Sequence, residues 1–113
     1  MRRLIAIVLL PALATACHKG GDHAEAKALI ASHCGTCHVV PGISSAVGTV
    51  GPSLAGIARR QIIAGRFENN PATMERWIMH PQALQPGGAM PEMGLTGAQA
   101  HAIADYLYTL DGK

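Results

Sequence analysis

The sequence predicts an all-α domain of short helices, and three observations carry that reading. Residues recur at i, i+3, i+4 and i+7 over Ala26, Leu29, Ile30 and His33, and again over Ile103, Tyr106, Leu107 and Leu110, the spacing that lines up one helical face. Helix-start signals stand before two runs, an asparagine ahead of Pro71 and the box Thr96-Gly97-Ala98-Gln99. The segments between are dense in glycine and proline, and the chain holds no βαβ pattern.

A chain of 113 residues is enough for one domain and too short for two well-filled cores. Hydrophobic residues make up 49% of it but aromatics only 4%, a poor supply of large core side chains that a buried prosthetic group would make good. The formal charge of +2 includes Arg2 and Arg3; without them seven basic residues face seven acidic ones. That balance offers no basic surface to nucleic acid.

Met1-Arg2-Arg3 and the apolar run from Leu4 to Leu10 form the charged start and short hydrophobic stretch of a secretory signal, too short to span a bilayer comfortably. Ala14-Thr15-Ala16 supplies a small-x-small cleavage pattern, so residues 1–16 read as a signal peptide and the protein as exported. Cys17 follows at once. Leu13-Ala14-Thr15-Ala16-Cys17 resembles a bacterial lipoprotein signal, with Ala14 where leucine is usual. The resemblance implies acylation of Cys17 and a periplasmic protein anchored to a membrane. A free thiol beside an ordinary cleavage site, or a cysteine lost with the leader, are the alternatives. Residues 17–23 read as a tether, since Gly20-Gly21 leaves the backbone unconstrained, and residues 24–113 as the folded domain.

Asp22 is a good N-cap for the first helix, whose stripe ends at Cys34-Gly35-Thr36-Cys37-His38. This is the C-x-x-C-H pattern of c-type haem attachment: the two thiols add across the haem vinyl groups, and the histidine is left beside the iron. Spacing of three puts both cysteines on one face of a helical or near-helical segment. A bare C-x-x-C also serves redox dithiols and zinc sites. The dithiol needs a βαβ setting and the zinc site a second ligand pair, and the chain has neither. One covalently bound haem c is therefore the expected cofactor, with Cys34, Cys37 and His38 as its holders. His33, next to Cys34, reads as an exposed or hydrogen-bonded side chain.

Residues 39–52 read as a loop, with Pro41, Gly42, Ser44, Ser45, Gly48, Gly51 and Pro52. Gly51-Pro52-Ser53-Leu54-Ala55-Gly56 then resembles the G-P-x-L-x-G segment of the class I cytochrome c family. The resemblance implies that the Pro52 carbonyl accepts a hydrogen bond from the outer nitrogen of His38, which fixes the imidazole tautomer and strengthens its donation to iron. It also implies a propionate-binding arginine near Arg59-Arg60. Arg60 fits by count and Arg59 stays open, beside the reading of two solvated charges.

Asn69 or Asn70 before Pro71 reads as the cap of a helix through Trp77, Ile78 and Met79, closed by His80-Pro81. Trp77 is a candidate to pack on the porphyrin and donate its indole N–H to a propionate, and equally a plain core residue. The second axial ligand lies among Met74, Met79, His80, Met90 and Met93. Gln85-Pro86-Gly87-Gly88-Ala89-Met90-Pro91 excludes helix and leaves Met90 on an extended loop. That segment resembles the P-G-x-x-M-P loop of class I cytochromes, which assigns Met90 to the iron.

Thr96 and Gln99 form a capping box that opens the last helix, with His101 and Tyr108 off its stripe and exposed. The resemblance covers residues 24 to 110 and implies a cytochrome c fold, about four short helices around one covalently bound haem. Ala26 and Ile30 are then expected to meet Ile103, Tyr106 and Leu107. The implied function is single-electron transfer by a His38/Met90-ligated haem, without catalysis. The implied partners are exported or membrane-bound redox proteins such as a dehydrogenase, a cytochrome complex or a terminal oxidase.

Overall fold

The computed structural model describes residues 23–113. The expected signal peptide, Cys17, Asp22 and all of the tether but His23 lie outside the described residues.

Helix α1 spans Ala24–His33 and buries Ala26 and Ile30. Its cap position is held by His23 in the left-handed region at φ 49°, with no side-chain capping bond. The His23 ring instead stands edge-on to Tyr106, with centroids 5.6 Å apart, so a tertiary ring contact fixes the entry to this helix. Helix α2, Pro71–Met79, is capped by Asn70, whose side chain accepts from the Thr73 amide at 2.9 Å. This resolves the choice between the two asparagines. Helix α3 is one turn, Pro81–Leu84, and α4 runs Gly97–Leu107 behind the complete Thr96–Gln99 capping box.

The core forms where α4 meets both α1 and α2. Ile30 and Ile103 are fully buried, with Ala26, Ala100, Ala104, Tyr106 and Leu107 around them. Three buried alanines at this junction leave room for close helix approach. Tyr106 also ties the core to the loop after the attachment motif, its hydroxyl donating to the Pro41 carbonyl at 2.6 Å. Gly42 sits there at φ +84° with the Tyr106 hydroxyl against it, so both the backbone angle and the space require glycine.

Two expectations are corrected. The fold is not purely α: β1 (Ile62–Ile63) and β2 (Phe67–Glu68) form a small antiparallel hairpin, with Ile62 opposite Glu68 and Ile63 opposite Phe67. The turn closes by Arg66 N–H donating to the Ile63 carbonyl at 3.1 Å, with Ala64 and Gly65 both at positive φ. Positive φ at both central positions matches the twist of a tight hairpin, and β-branched isoleucines suit the strand that leads in. Tyr108, in turn, is half-buried, and its hydroxyl donates to Asn69 Oδ1 at 2.7 Å. Burial raises its pKa above the ordinary 10, with a smaller contribution from the Glu75 carboxylate.

The stretch 39–52 is non-helical as expected, but it is ordered by its backbone. Val39 and Val47 form an antiparallel bridge, and the Val40 amide donates to the Ala46 carbonyl at 3.1 Å.

Candidate functional site

The helical turn after α1 delivers Cys34, Cys37 and His38 to the wall of a cavity of about 440 Å³, within the usual range for a prosthetic-group pocket. Its remaining wall is mostly apolar and comes from α1, α2, α4, the hairpin and the loop before α4. The turn itself is fixed by the Cys37 and His38 amides, which donate to the Cys34 carbonyl at 3.1 and 2.9 Å.

His38 Nδ1 lies 2.6 Å from the Pro52 carbonyl oxygen. A carbonyl only accepts, so the neutral ring carries its proton on Nδ1 and keeps its lone pair on Nε2. A second device holds the ring from the side. A methyl group at Gly51 would stand 2.8 Å from Nδ1 and 2.9 Å from Nε2 of His38, and closer still to Cε1. The Gly51 amide cannot retreat, because it donates to the Cys37 carbonyl at 2.7 Å. Glycine is required here by the imidazole packed flat against it.

Cys34 lacks the depressed pKa of a redox thiol. Burial pushes the Cys34 thiol up to about 11, with a smaller contribution from Cys37, whereas a dithiol catalyst needs a depressed thiolate pKa. Among the described residues no group of three or more His, Cys, Asp or Glu side chains converges as a metal cluster, which leaves a structural zinc without its ligand set. Two thiols, one imidazole with a free lone pair and a broad apolar slot do fit a covalently held haem.

Met90, Met93 and Met74 line this same cavity, while Met79 and His80 do not. Met74 is buried on α2, and Met90 is half-buried on the loop. Trp77 lines the cavity half-buried, its ring 5.9 Å from that of Phe67. Arg60 also reaches the wall, its Nη2 donating to the carbonyls of Ser53 at 2.6 Å and Ala55 at 3.2 Å. Those bonds use part of a five-donor fork and pin the guanidinium at the rim. Arg59 is exposed and off the wall. His33 is exposed, with Nδ1 3.0 Å from the Leu29 carbonyl, and it touches the cavity edge.

Three residues have roles that the sequence reading did not assign. Gly51 looks like a turn former until its distance to His38 is known. Asn69 donates to the carbonyls of Ile57 at 2.9 Å and Arg60 at 2.7 Å, tying the 3₁₀ turn Ile57–Arg59 to the end of α4 through Tyr108. Gln82 braces the Met90 loop. Gly51 left a trace in sequence as the first residue of the G-P-x-L-x-G segment, and Asn69 as one of two asparagines before Pro71; Gln82 left none.

Comparison with known proteins gives a concordant result. The family described as Cytochrome c matches residues 23–111. A cytochrome c oxidase subunit 2 from Alkalihalophilus pseudofirmus is 36% identical over 78 residues, covering 68% of this chain and 22% of that relative. The protein of the same name from a Bacillus species is 31% identical over 90 residues, covering 76% of this chain and 25% of its own length. The chain thus spans about a quarter of these curated relatives or less.

Proposed function

The chain belongs to the cytochrome c family and so carries a covalently bound haem c, and from that premise we propose that it is a single-electron carrier with His38 and Met90 as axial ligands. Cys34 and Cys37 form the two thioethers in this reading. The observation that carries it is a single apolar cavity whose wall holds both cysteines, Met90, and a His38 imidazole with its lone pair fixed on Nε2 by the Pro52 carbonyl.

Haem c supplies an iron that cycles between ferric and ferrous states. The residues of this chain determine how it does so. Pro52 keeps the His38 ring in one tautomer and one orientation through both states. A thioether from Met90 favours the reduced state relative to a second imidazole. Ile30, Ile63, Ile78 and Ile103 line the cavity and exclude water, and Arg60 at the rim offers charge to a propionate, with Trp77 packed on the same wall. With His38 and Met90 as its two ligands, a bound haem would offer no open position to a substrate, and in this reading the chain is a carrier and not an enzyme.

The partners are exported or membrane-bound redox proteins. The name borne by the two relatives supports a terminal oxidase as the acceptor class, and the N-terminal sequence supports a periplasmic protein anchored through Cys17. Two measurements test the proposal. Met90→Ala removes the far-red methionine-to-iron charge-transfer band of the ferric protein while the haem stays covalently bound. An unchanged spectrum moves the ligand to Met93 or Met74. Reduced wild-type protein is reoxidised by membranes containing a terminal oxidase, and failure there redirects the search to another acceptor.

A further inference from the structure

We propose that Gln82 is the positioning residue that makes Met90 a persistent ligand, a role that rests on the ligation reading above. The loop from Gln85 to Glu92 is poorly able to hold itself. Pro86 and Pro91 have no amide hydrogen to offer, and Gly87 and Gly88 have little conformational preference of their own. Its internal brace is the Gly88 amide donating to the Gln85 carbonyl at 3.1 Å.

Gln82, on the single turn of α3, supplies the rest. Its Nε2 donates to the carbonyls of Gly88 and Met90, each at 2.8 Å, and its Oε1 accepts from the Gly87 amide at 3.1 Å. Its own backbone amide donates to Glu92 Oε1 at 3.0 Å. One residue therefore fixes four points from Gly87 to Glu92, with Met90 between them. A primary amide is the only side chain of this length with two donors and an acceptor in one plane. The platform is firm, since Pro81 beside it is fully buried and the Gln85 amide closes the turn onto the Pro81 carbonyl at 2.8 Å.

Gly87, Ala89 and Pro91 are exposed, so water can replace the lost bonds once the loop opens. The stabilisation by Gln82 thus falls on loop closure more than on global folding. Loss of the two donated bonds raises the open population roughly tenfold or more.

The test uses the full haem-loaded chain with two variants, Gln82→Met, which keeps length and loses all donors, and Gln82→Glu. Imidazole is titrated into the ferric protein, and amide hydrogen exchange is followed from Gly87 to Met90. In Gln82→Met, exchange speeds up and imidazole binds roughly tenfold more tightly than in the wild type. In Gln82→Glu, the methionine band becomes pH-dependent, present where the carboxyl is protonated and can donate, and fading as it ionises against the two carbonyls. A purely structural role would not produce that profile. Unchanged exchange in Gln82→Met overturns the bracing whatever ligates the iron. Faster exchange with unchanged imidazole affinity overturns the step from bracing to Met90. A Met90→Ala protein with the wild-type spectrum overturns the ligation reading instead, a failure that exchange at Gly87 and Gly88 does not share.

Discussion

The segment that carries His38 and the loop that carries Met90 line one cavity but are held in opposite ways. From Gly35 to Pro52 the chain is interlocked through its own backbone. The Gly48 amide donates to the Gly35 carbonyl at 3.0 Å, and a methyl group at Gly48 would collide with the backbone of Thr36 and Cys37. Around Met90, Gly87 and Gly94 stand in the open: a methyl group at either would meet nothing within 4 Å, and one at Gly88 would meet only Gln85 of its own loop, the carbonyl oxygen at 3.1 Å. The histidine side is fixed by packing that cannot loosen locally, the methionine side by a few hydrogen bonds that can. That difference suits the proposed ligation, in which one ligand is welded next to its attachment point and the other must be aimed from a distance of some fifty residues in sequence.

The sharpest way to break this comparison is a methyl group placed on each side. Gly51→Ala drives the His38 ring off its position, and with it the bond to Pro52. We expect a loss of about 2–3 kcal/mol in unfolding free energy of the haem-loaded protein, in the range of an overpacked core site. Denaturant unfolding checks it, together with a changed reduction potential as the imidazole loses its acceptor. A Gly51→Ala protein with wild-type stability and potential would make the histidine side as adaptable as the other.

Gly87→Ala is the matched change. The added methyl meets no neighbour, so the cost is only the backbone strain of an L-residue at φ +77°, about 1 kcal/mol. It should appear as easier displacement of Met90 by imidazole, with global unfolding little changed. A loss as large as that of Gly51→Ala would show that the loop is packed more tightly than its open glycines indicate.

What the sequence revealed divides along the same line. Cys34-Gly35-Thr36-Cys37-His38, the helix start at an asparagine before Pro71 and the Thr96–Gln99 box are local chemistry, where neighbours in sequence are partners in space. The hairpin escaped because two residues per strand give no alternation to read. The α3 turn is too short for a period and was visible only as the proline after α2. His23 takes the cap by a contact with Tyr106, 83 residues away, which no local rule contains. The role of Gly51, which was visible only as the first residue of the G-P-x-L-x-G segment, and that of Gln82 escaped for the deepest reason. Their roles depend on what stands opposite, an imidazole in one case and three backbone groups in the other, and composition records neither.

The smallest effect tests whether the helices behind the methionine loop share its dependence on exposed polar contacts. His101 on α4 has Nδ1 2.7 Å from Glu75 Oε1 on α2 and Nε2 3.4 Å from Asp105 Oδ2. The hydrogen bond to Glu75 is the main cause of a pKa raised above the ordinary 6.5, with Asp105 adding to it. A raised folded-state pKa means that the contribution is whole below the ordinary value and is lost as pH climbs through the raised one. The pair is exposed and screened, so His101→Ala should lower Tm by under about 2 °C near pH 5.5 and leave it unchanged near pH 9. Added salt should erase the acid-side difference, since exposed pairs are screened within a Debye length. A difference that persists at high pH would mean that the imidazole holds α2 to α4 by packing, which would place this junction with the interlocked side of the molecule and set it apart from the methionine loop.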